Sequence, residues 1–505
     1  MTRKPLTLLA VSSVLAMSAC AANTSIASTT DDTATAPISI ASTTTPATQA
    51  QTAAPRPNVL LILFDDMGYG QLGITGHKII KTPNIDKLAR EGMLFANGYA
   101  GSTVCSPSRI SLMTGRDSSR LHSTANTISL RPGDRTLAHL LSDAGYKTAL
   151  FGKFGIGTTF GQTDPMTMGF QEWKGLLHNI QAHRQFPMFM FENNKMVPVP
   201  DNRAGARGGY AQRLFTDDAL EYLDQQDGKQ PFFALVSYTS PHSEMAAPEK
   251  FVAPYRGKFT ETPYNGLKGP TPDSQFPDYY PLAIDEPNAV QAGMIAALDS
   301  YVGELVAKLE AQGLKDNTLI LITSDNGPHS EGGGDPLGIA AAGPFRGGKR
   351  DLTEGGIHMP FIATWPSVIK SGRVEDAPVM FADLMPTLGD LAGRPGAAET
   401  TGANGVSLAP LLLNDNASLP ERMLYWAFSR QLGDPNSGVI GVTQQAGRIG
   451  KWKALRSNTD AAVELYDLTK DPGEANDVAT QYPKIAADFA KRFDAELEEQ
   501  ARYAQ

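Results

Sequence analysis

Val59-Leu60-Leu61-Ile62-Leu63-Phe64 is an unbroken apolar run that leads directly into Asp65-Asp66-Met67-Gly68. A strand with one wet face alternates polar and apolar side chains, so a run without alternation predicts a parallel strand covered on both faces. Phe232 to Ser237 and Leu319 to Thr323 read the same way. Helix patterns lie between these runs. Thr82-Pro83 opens one through Ile85, Leu88 and Ala89, and Gly92 closes it. Leu137, Leu140, Leu141 and Ala144 form a second apolar face that stops at Gly145, and Ile295, Leu298, Val302, Leu305 and Leu309 stripe a longer helix from about Ala289 to Gln312. Strands alternating with helices predict an α/β fold, a large, mostly parallel mixed sheet flanked by helices.

Beyond this core the pattern changes. Gly393, Pro395, Gly396, Gly402, Gly405 and Pro410 crowd together, followed by strand-like pieces at Met423–Phe428 and Trp452–Leu455 and a helix from Pro483 to about Gln500. A smaller C-terminal α+β domain is expected over 401–505, after a main domain over 58–400.

The 505 residues are 41% apolar and 19% charged, which excludes wholesale disorder and a polytopic membrane protein. With 53 acidic against 44 basic residues the net charge is −9, and no long Lys/Arg cluster is present, so nucleic acid is not an expected partner. Small anions need only a few placed cations and remain open. The two cysteines, Cys20 and Cys105, exclude a disulfide framework.

Residues 1–20 begin with Arg3 and Lys4, continue with an apolar stretch from Leu6 to Met17 and end Met17-Ser18-Ala19-Cys20, the pattern of a signal peptide. Small residues before Cys20 resemble a bacterial lipobox, so Cys20 is expected to carry the lipid anchor, with plain cleavage near Ala19–Ala22 as the rival. Residues 21–57, rich in Thr, Ala, Ser and Gln, cannot offset their ordering entropy and read as a disordered tether.

Ligands of open α/β sheets bind beyond the carboxyl ends of the strands. Two such ends carry acids: Asp65-Asp66 after Phe64, and Asp325-Asn326-Gly327 after Ser324. Each alone is ordinary turn chemistry. Together they place mutually repelling carboxylates at equivalent ends, which a hard, oxygen-seeking cation would relieve. Calcium fits best, magnesium is the nearest alternative, and zinc fits less well without His or Cys in either cluster.

Cys105-Ser106-Pro107-Ser108-Arg109 continues as Leu112-Met113-Thr114-Gly115-Arg116. A lone cysteine is usually a small buried hydrophobe, but these neighbours are a poor apolar environment. The stretch resembles the signature of the sulfatase family, Cys-x-Pro-Ser-Arg with a trailing Leu-x-Thr-Gly-Arg. The resemblance extends to Asn58–Gly70, Phe151-Gly152-Lys153, Pro241-His242, Asp325-Asn326-Gly327, Arg346-Gly347-Gly348-Lys349, Glu354-Gly355-Gly356 and Glu464-Leu465-Tyr466-Asp467 before Asp471-Pro472-Gly473-Glu474.

This resemblance implies an alkaline-phosphatase-like fold and hydrolysis of sulfuric esters, aryl or carbohydrate. It implies that Cys105 is oxidised by a formylglycine-generating enzyme to formylglycine, whose hydrated aldehyde is the nucleophile. One calcium ion would be held by Asp65, Asp66, Asp325 and Asn326 and by the oxygen at residue 105. Arg109 would hold that oxygen, Lys153 and Lys349 would neutralise the sulfate, and His242 with Lys349 would protonate the departing alcohol. The family commonly has a histidine two residues after the lysine matched by Lys153, and here that position is Gly155. His183, in Gln181-Ala182-His183, is the expected substitute base, with His329 a second candidate. A phosphonate or phosphate ester hydrolase and an inactive carbohydrate-binding relative are the alternatives. Substrate contacts are expected in irregular stretches near 155–210 and 243–288, and export to the periplasm or outer membrane of a Gram-negative bacterium follows from the leader.

Overall fold

The computed structural model describes residues 56–158, 160–179, 181–266, 283–431 and 440–504. The leader 1–20 with Cys20, the tether up to residue 55 and part of the 243–288 stretch lie outside the described residues.

The main sheet has ten strands. In chain order they are β1 (Asn58–Asp65), β2 (Met93–Phe95) and, after the two-residue β3 (Gly98–Tyr99), β4 (Lys147–Lys153), β5 (Glu172–Leu176), β6 (Phe189–Glu192), β7 (Lys195–Pro198), β8 (Phe232–Pro241), β9 (Thr318–Ser324), β10 (Ile362–Thr364) and β11 (Arg373–Glu375). Across the sheet they lie in the order β11-β2-β10-β9-β1-β8-β4-β5-β6-β7. The central strands β9, β1, β8, β4 and β5 are parallel. On one side β10 pairs antiparallel with β9 and β2, and β11 closes that edge parallel to β2; on the other β5-β6-β7 are antiparallel.

Every residue of β1 is buried, as its unbroken apolar run requires. Because side chains alternate along a strand, Leu60, Ile62 and Phe64 enter one core with the helices Ala211–Asp224 and Pro287–Ala311, while Val59, Leu61 and Leu63 enter another with Leu137 and Leu141 of the helix Leu137–Asp143. The predicted helices after Thr82 and from Pro483 are present as Pro83–Glu91 and Pro483–Ala504.

A short pair, β3 with β12 (Val379–Met380), links to a four-stranded antiparallel sheet of β13 (Leu424–Gln431), β14 (Ile440–Ile449), β15 (Trp452–Arg456) and β16 (Glu464–Asp467). One face of this smaller sheet packs Trp426 and Phe428 against Tyr99 and Val104, and the other packs Tyr425 and Ala427 against Phe489 and Phe493 of the last helix.

The stretch 155–210, expected to be irregular, contains β5, β6 and β7. β7 gives no apolar signal, because all four of its residues are exposed at the sheet edge. The hairpin between β6 and β7 turns at Asn193, which takes the left-handed conformation (φ 50°) that Asn tolerates. Among the described residues no helix is long and apolar enough to cross a membrane.

Candidate active site

Parallel register brings the acids and cations together. Asp65 at the end of β1 pairs with Pro241 of β8, Phe64 pairs with Ser324 of β9, and Gly152 of β4 pairs with Ser237 of β8. Asp65, Lys153, His242 and Asp325 therefore emerge at one edge of the sheet. A Cβ at Gly152 would sit 2.0 Å from the Ser237 carbonyl oxygen, so only glycine lets β4 deliver Lys153 here. Asp66 takes a left-handed conformation (φ 65°), unusual for a residue with a side chain, and its N–H donates to Asp325 Oδ1 (3.1 Å).

Cys105 is the first residue of the fully buried helix Cys105–Thr114. Pro107 lies in the first turn, where its missing N–H is harmless, and Arg109 is four residues on, on the same helix face as Cys105. Cys105 Sγ is 3.5 Å from Asp65 Oδ1 and 3.8 Å from Asp66 Oδ1. Arg109 pairs with Asp325 Oδ2 (2.8 Å), reaches Asp65 (3.6 Å) and donates to Ser237 Oγ (2.7 Å). Lys153 Nζ donates to Asp65 Oδ2 (2.9 Å), and Lys349 Nζ to Asp66 Oδ2 (2.9 Å) and to His242 Nε2 (2.8 Å).

Burial pushes the Asp325 carboxyl up to about 7 even beside Arg109. Burial acts the same way at Asp65, but there Lys153 and Arg109 outweigh it and hold the group well below the usual range. The Cys105 thiol is pushed well up by burial despite Lys153 and Lys349, so it is held protonated and is a weak nucleophile as a thiol. Burial, then Lys349, depresses His242 and keeps it neutral. Burial, then His242, does the same at His183.

The residues fit a hard cation. Ligand atoms of Asp65, Asp66, Cys105 and Asp325 all lie within 4.8 Å of one another. Asn326 Nδ2 donates to Asp66 Oδ1 (2.6 Å), while Asn326 Oδ1 is buried with no hydrogen-bond partner among the described residues. Converging carboxylates and an orphaned amide oxygen are the donors calcium or magnesium takes.

All residues expected at the site from sequence converge. The His183 ring stacks on His242 (centroids 4.2 Å, planes 19° apart), and His329 stacks on the same imidazole (5.2 Å, 19°). Both nitrogens of His329 are engaged by backbone, Nε2 with the Pro241 carbonyl (2.9 Å) and Nδ1 with the Glu331 N–H (3.1 Å), so it orients rather than transfers protons. Gly155 is left-handed (φ 74°), and a Cβ there would lie 2.9 Å from Lys153 Cε. A side chain at 155 would thus enter the site. Ser237, Glu331 and Arg350 are at the site without having been anticipated. Glu331 Oε2 contacts His242 Nε2 (3.2 Å) and Lys349 Nζ (3.3 Å), and its Oε1 accepts from Arg350. The acid in Pro328-His329-Ser330-Glu331, shortly after Asp325-Asn326, was the available signal.

Residues 57–394 match the family model Sulfatase, and residues 346–502 match N-sulphoglucosamine sulphohydrolase, C-terminal. The chain is 30% identical over 471 residues to Arylsulfatase A of Homo sapiens, covering 83% of this chain and 82% of that protein. It is 30% identical over 429 residues to N-acetylgalactosamine-6-sulfatase of Mus musculus, covering 79% and 71%. The crystal structure of Ps i-CgsB in complex with k-i-k-neocarrahexaose superposes with a TM-score of 0.72 at 27% identity, covering 88% of this chain and 93% of that one.

Proposed function

The chain belongs to the sulfatase family, with its alkaline-phosphatase-like fold and sulfate-ester-hydrolysing activity, and on that premise we propose the finer chemistry of its site. Cys105 is the residue converted to formylglycine by a formylglycine-generating enzyme, and the hydrated aldehyde supplies the nucleophilic hydroxyl. The observation that carries this reading is Cys105 at the head of a buried helix, 3.5 Å from Asp65, with its thiol pushed away from the reactive thiolate. Asp65, Asp66, Asp325 and Asn326 hold one calcium ion, together with the oxygen at residue 105. When bound, that ion would polarise a sulfate oxygen and acidify the hydroxyl.

The chain's own groups do the rest. Arg109, anchored by Asp325 and Ser237, aims its guanidinium at residue 105. Lys153 and Lys349 neutralise sulfate oxygens at the mouth of the acid cluster, and the helix N-terminus at Cys105 adds its dipole. Lys349 and His242 deliver a proton to the departing alcohol. His183, neutral and stacked on His242, takes over the base role of the histidine replaced by Gly155; an unchanged kcat in His183→Ala would remove it from that role.

The substrate is an aryl sulfate or a sulfated carbohydrate. The relatives named for arylsulfatase and for N-acetylgalactosamine-6-sulfatase support either class. Protein matured with the modifying enzyme should hydrolyse nitrophenyl sulfate in preference to nitrophenyl phosphate, and peptide mapping should find an aldehyde at residue 105. Strong phosphate preference, or full activity with an ordinary thiol, would overturn the proposal. Export with a lipid on Cys20, to the periplasm or outer membrane of a Gram-negative bacterium, is part of this reading; a mature N-terminal peptide with a free Cys20 thiol would refute the anchor.

A further inference from the structure

Glu331 is not among the residues assigned above to the ion or to the sulfate, yet it contacts both members of the proposed proton-delivering pair. Lys349 has three N–H donors. They meet three acceptors: Asp66 Oδ2 (2.9 Å), His242 Nε2 (2.8 Å) and Glu331 Oε2 (3.3 Å). Asp66 draws the ammonium toward the acid cluster, and Glu331 is the counterweight on the outer side. The carboxylate is itself over-determined. Its Oε1 is held by Arg350, its backbone N–H by His329 Nδ1 (3.1 Å), and the His242 ring it touches is clamped between His183 and His329. At 29% exposure the Glu331 side chain marks the outer limit of the cluster, whereas those of Lys349 and His242 are 2% and 1% exposed.

We infer that Glu331 is a positioning residue that keeps Lys349 and His242 aimed at the ester oxygen, so that its contribution grows as the leaving alcohol becomes less acidic. This rests on the sulfatase chemistry proposed above. As the S–O ester bond breaks, its electron pair stays on the ester oxygen, the sulfuryl group passes to the attacking oxygen, and the ester oxygen takes a proton from the Lys349–His242 pair. The pair regains a proton from water. An acidic phenol leaves as phenolate and needs little help, whereas a sugar hydroxyl needs that proton in the transition state. Without Glu331, Lys349 is left with Asp66 and His242 as acceptors and relaxes toward the acid cluster, away from the leaving group.

The test uses full-length protein carrying formylglycine. Wild type, Glu331→Gln and Glu331→Asp are assayed on nitrophenyl sulfate, on phenyl sulfates with progressively less acidic phenols, and on N-acetylgalactosamine 6-sulfate. Glu331→Gln should lower kcat roughly 30-fold on the poorest leaving group that the wild type accepts and less than about threefold on the best, with KM little changed. Glu331→Asp, which keeps the carboxylate, should recover part of the loss in the same graded order. It gives the same readout if the Gln variant does not fold. Equal losses across the series, a loss confined to KM, or no loss would overturn the inference while leaving the sulfatase reading intact. A wild type inactive on every ester would instead sink the sulfatase reading, and this inference with it.

Discussion

The protein buries two clusters of charge, and they are wired in opposite ways. At the strand ends Asp65, Asp66 and Asp325 point toward a common centre, with Arg109, Lys153 and Lys349 around its rim. Where the smaller sheet meets β3 and the helix Glu354–Ile357, the cation is in the middle: Lys453 Nζ lies 2.8 Å from Glu354 Oε1 and 3.4 Å from Glu474 Oε1. Glu354 Oε2 accepts from Tyr99 (2.7 Å) and pairs with His358 (2.9 Å), and Arg448 donates to the Tyr99 hydroxyl. Glu474 Oε2 in turn accepts the Glu354 N–H (2.7 Å). Acids separated by a cation make a closed network that ties the smaller sheet to β3 and the helix Glu354–Ile357. Where the acids converge, ligand atoms of Asp65, Asp66 and Asp325 lie within 4.8 Å of one another, and burial pushes the Asp325 carboxyl up to about 7. The same residue types enclose one of the chain's own cations in one place and converge on one another in the other.

The largest effect expected is on chemistry. Cys105→Ala should abolish turnover with an unchanged thermal melt, because the helix it opens is held by its other buried residues; residual activity near wild type would end the covalent role. Next is the open cluster. Calcium at a hundredfold excess over its Kd should stabilise the wild type by about 2.7 kcal/mol. Asp325→Ala should lose that calcium-dependent shift and more than about 100-fold in activity. A full calcium shift in the variant would remove Asp325 from the ligand set.

The closed cluster should respond in the opposite manner. Lys453→Met strands two glutamates and should cost about 3–5 kcal/mol in denaturant titration, with the calcium shift retained. A smaller, pH-dependent effect isolates Glu354. Burial alone would raise its carboxyl, but Lys453 and His358 outweigh burial and hold it well below the usual range. A depressed folded value means the stabilisation is complete above the unfolded carboxyl pKa and fades as pH falls toward the folded one. The stability gap between wild type and Glu354→Gln should therefore be widest near neutral pH and shrink steadily below about pH 4. A gap independent of pH would show that the charge contributes nothing.

Much of this was legible along the chain, for reasons specific to each segment. The run from Val59 to Phe64 announced its own burial, since both of its faces had to find a core, and they did. Cys105 and Arg109 stood out by their motif, whereas the helix Cys105–Thr114 that puts them on one face was not announced by any apolar stripe. Strand β7 was not legible, because it is an edge strand that faces water and carries no apolar period. Glu331 offered only a weak signal, its closeness to Asp325-Asn326. It acts on partners 18 and 89 positions away, His242 and Lys349 themselves being 107 apart, and no local pattern links them.

The sequence by itself determined which segments become buried parallel strands and that two of them end in acids, at Asp65-Asp66 and at Asp325; periodicity and strand-end chemistry are local properties. Only the tertiary structure decided that those ends meet, that one set of buried acids converges while another encloses Lys453, and that Glu331 steadies Lys349. Such distinctions depend on the distance and direction between charges brought together by parallel register, and Coulomb energies are set by positions in space, not by order along a chain.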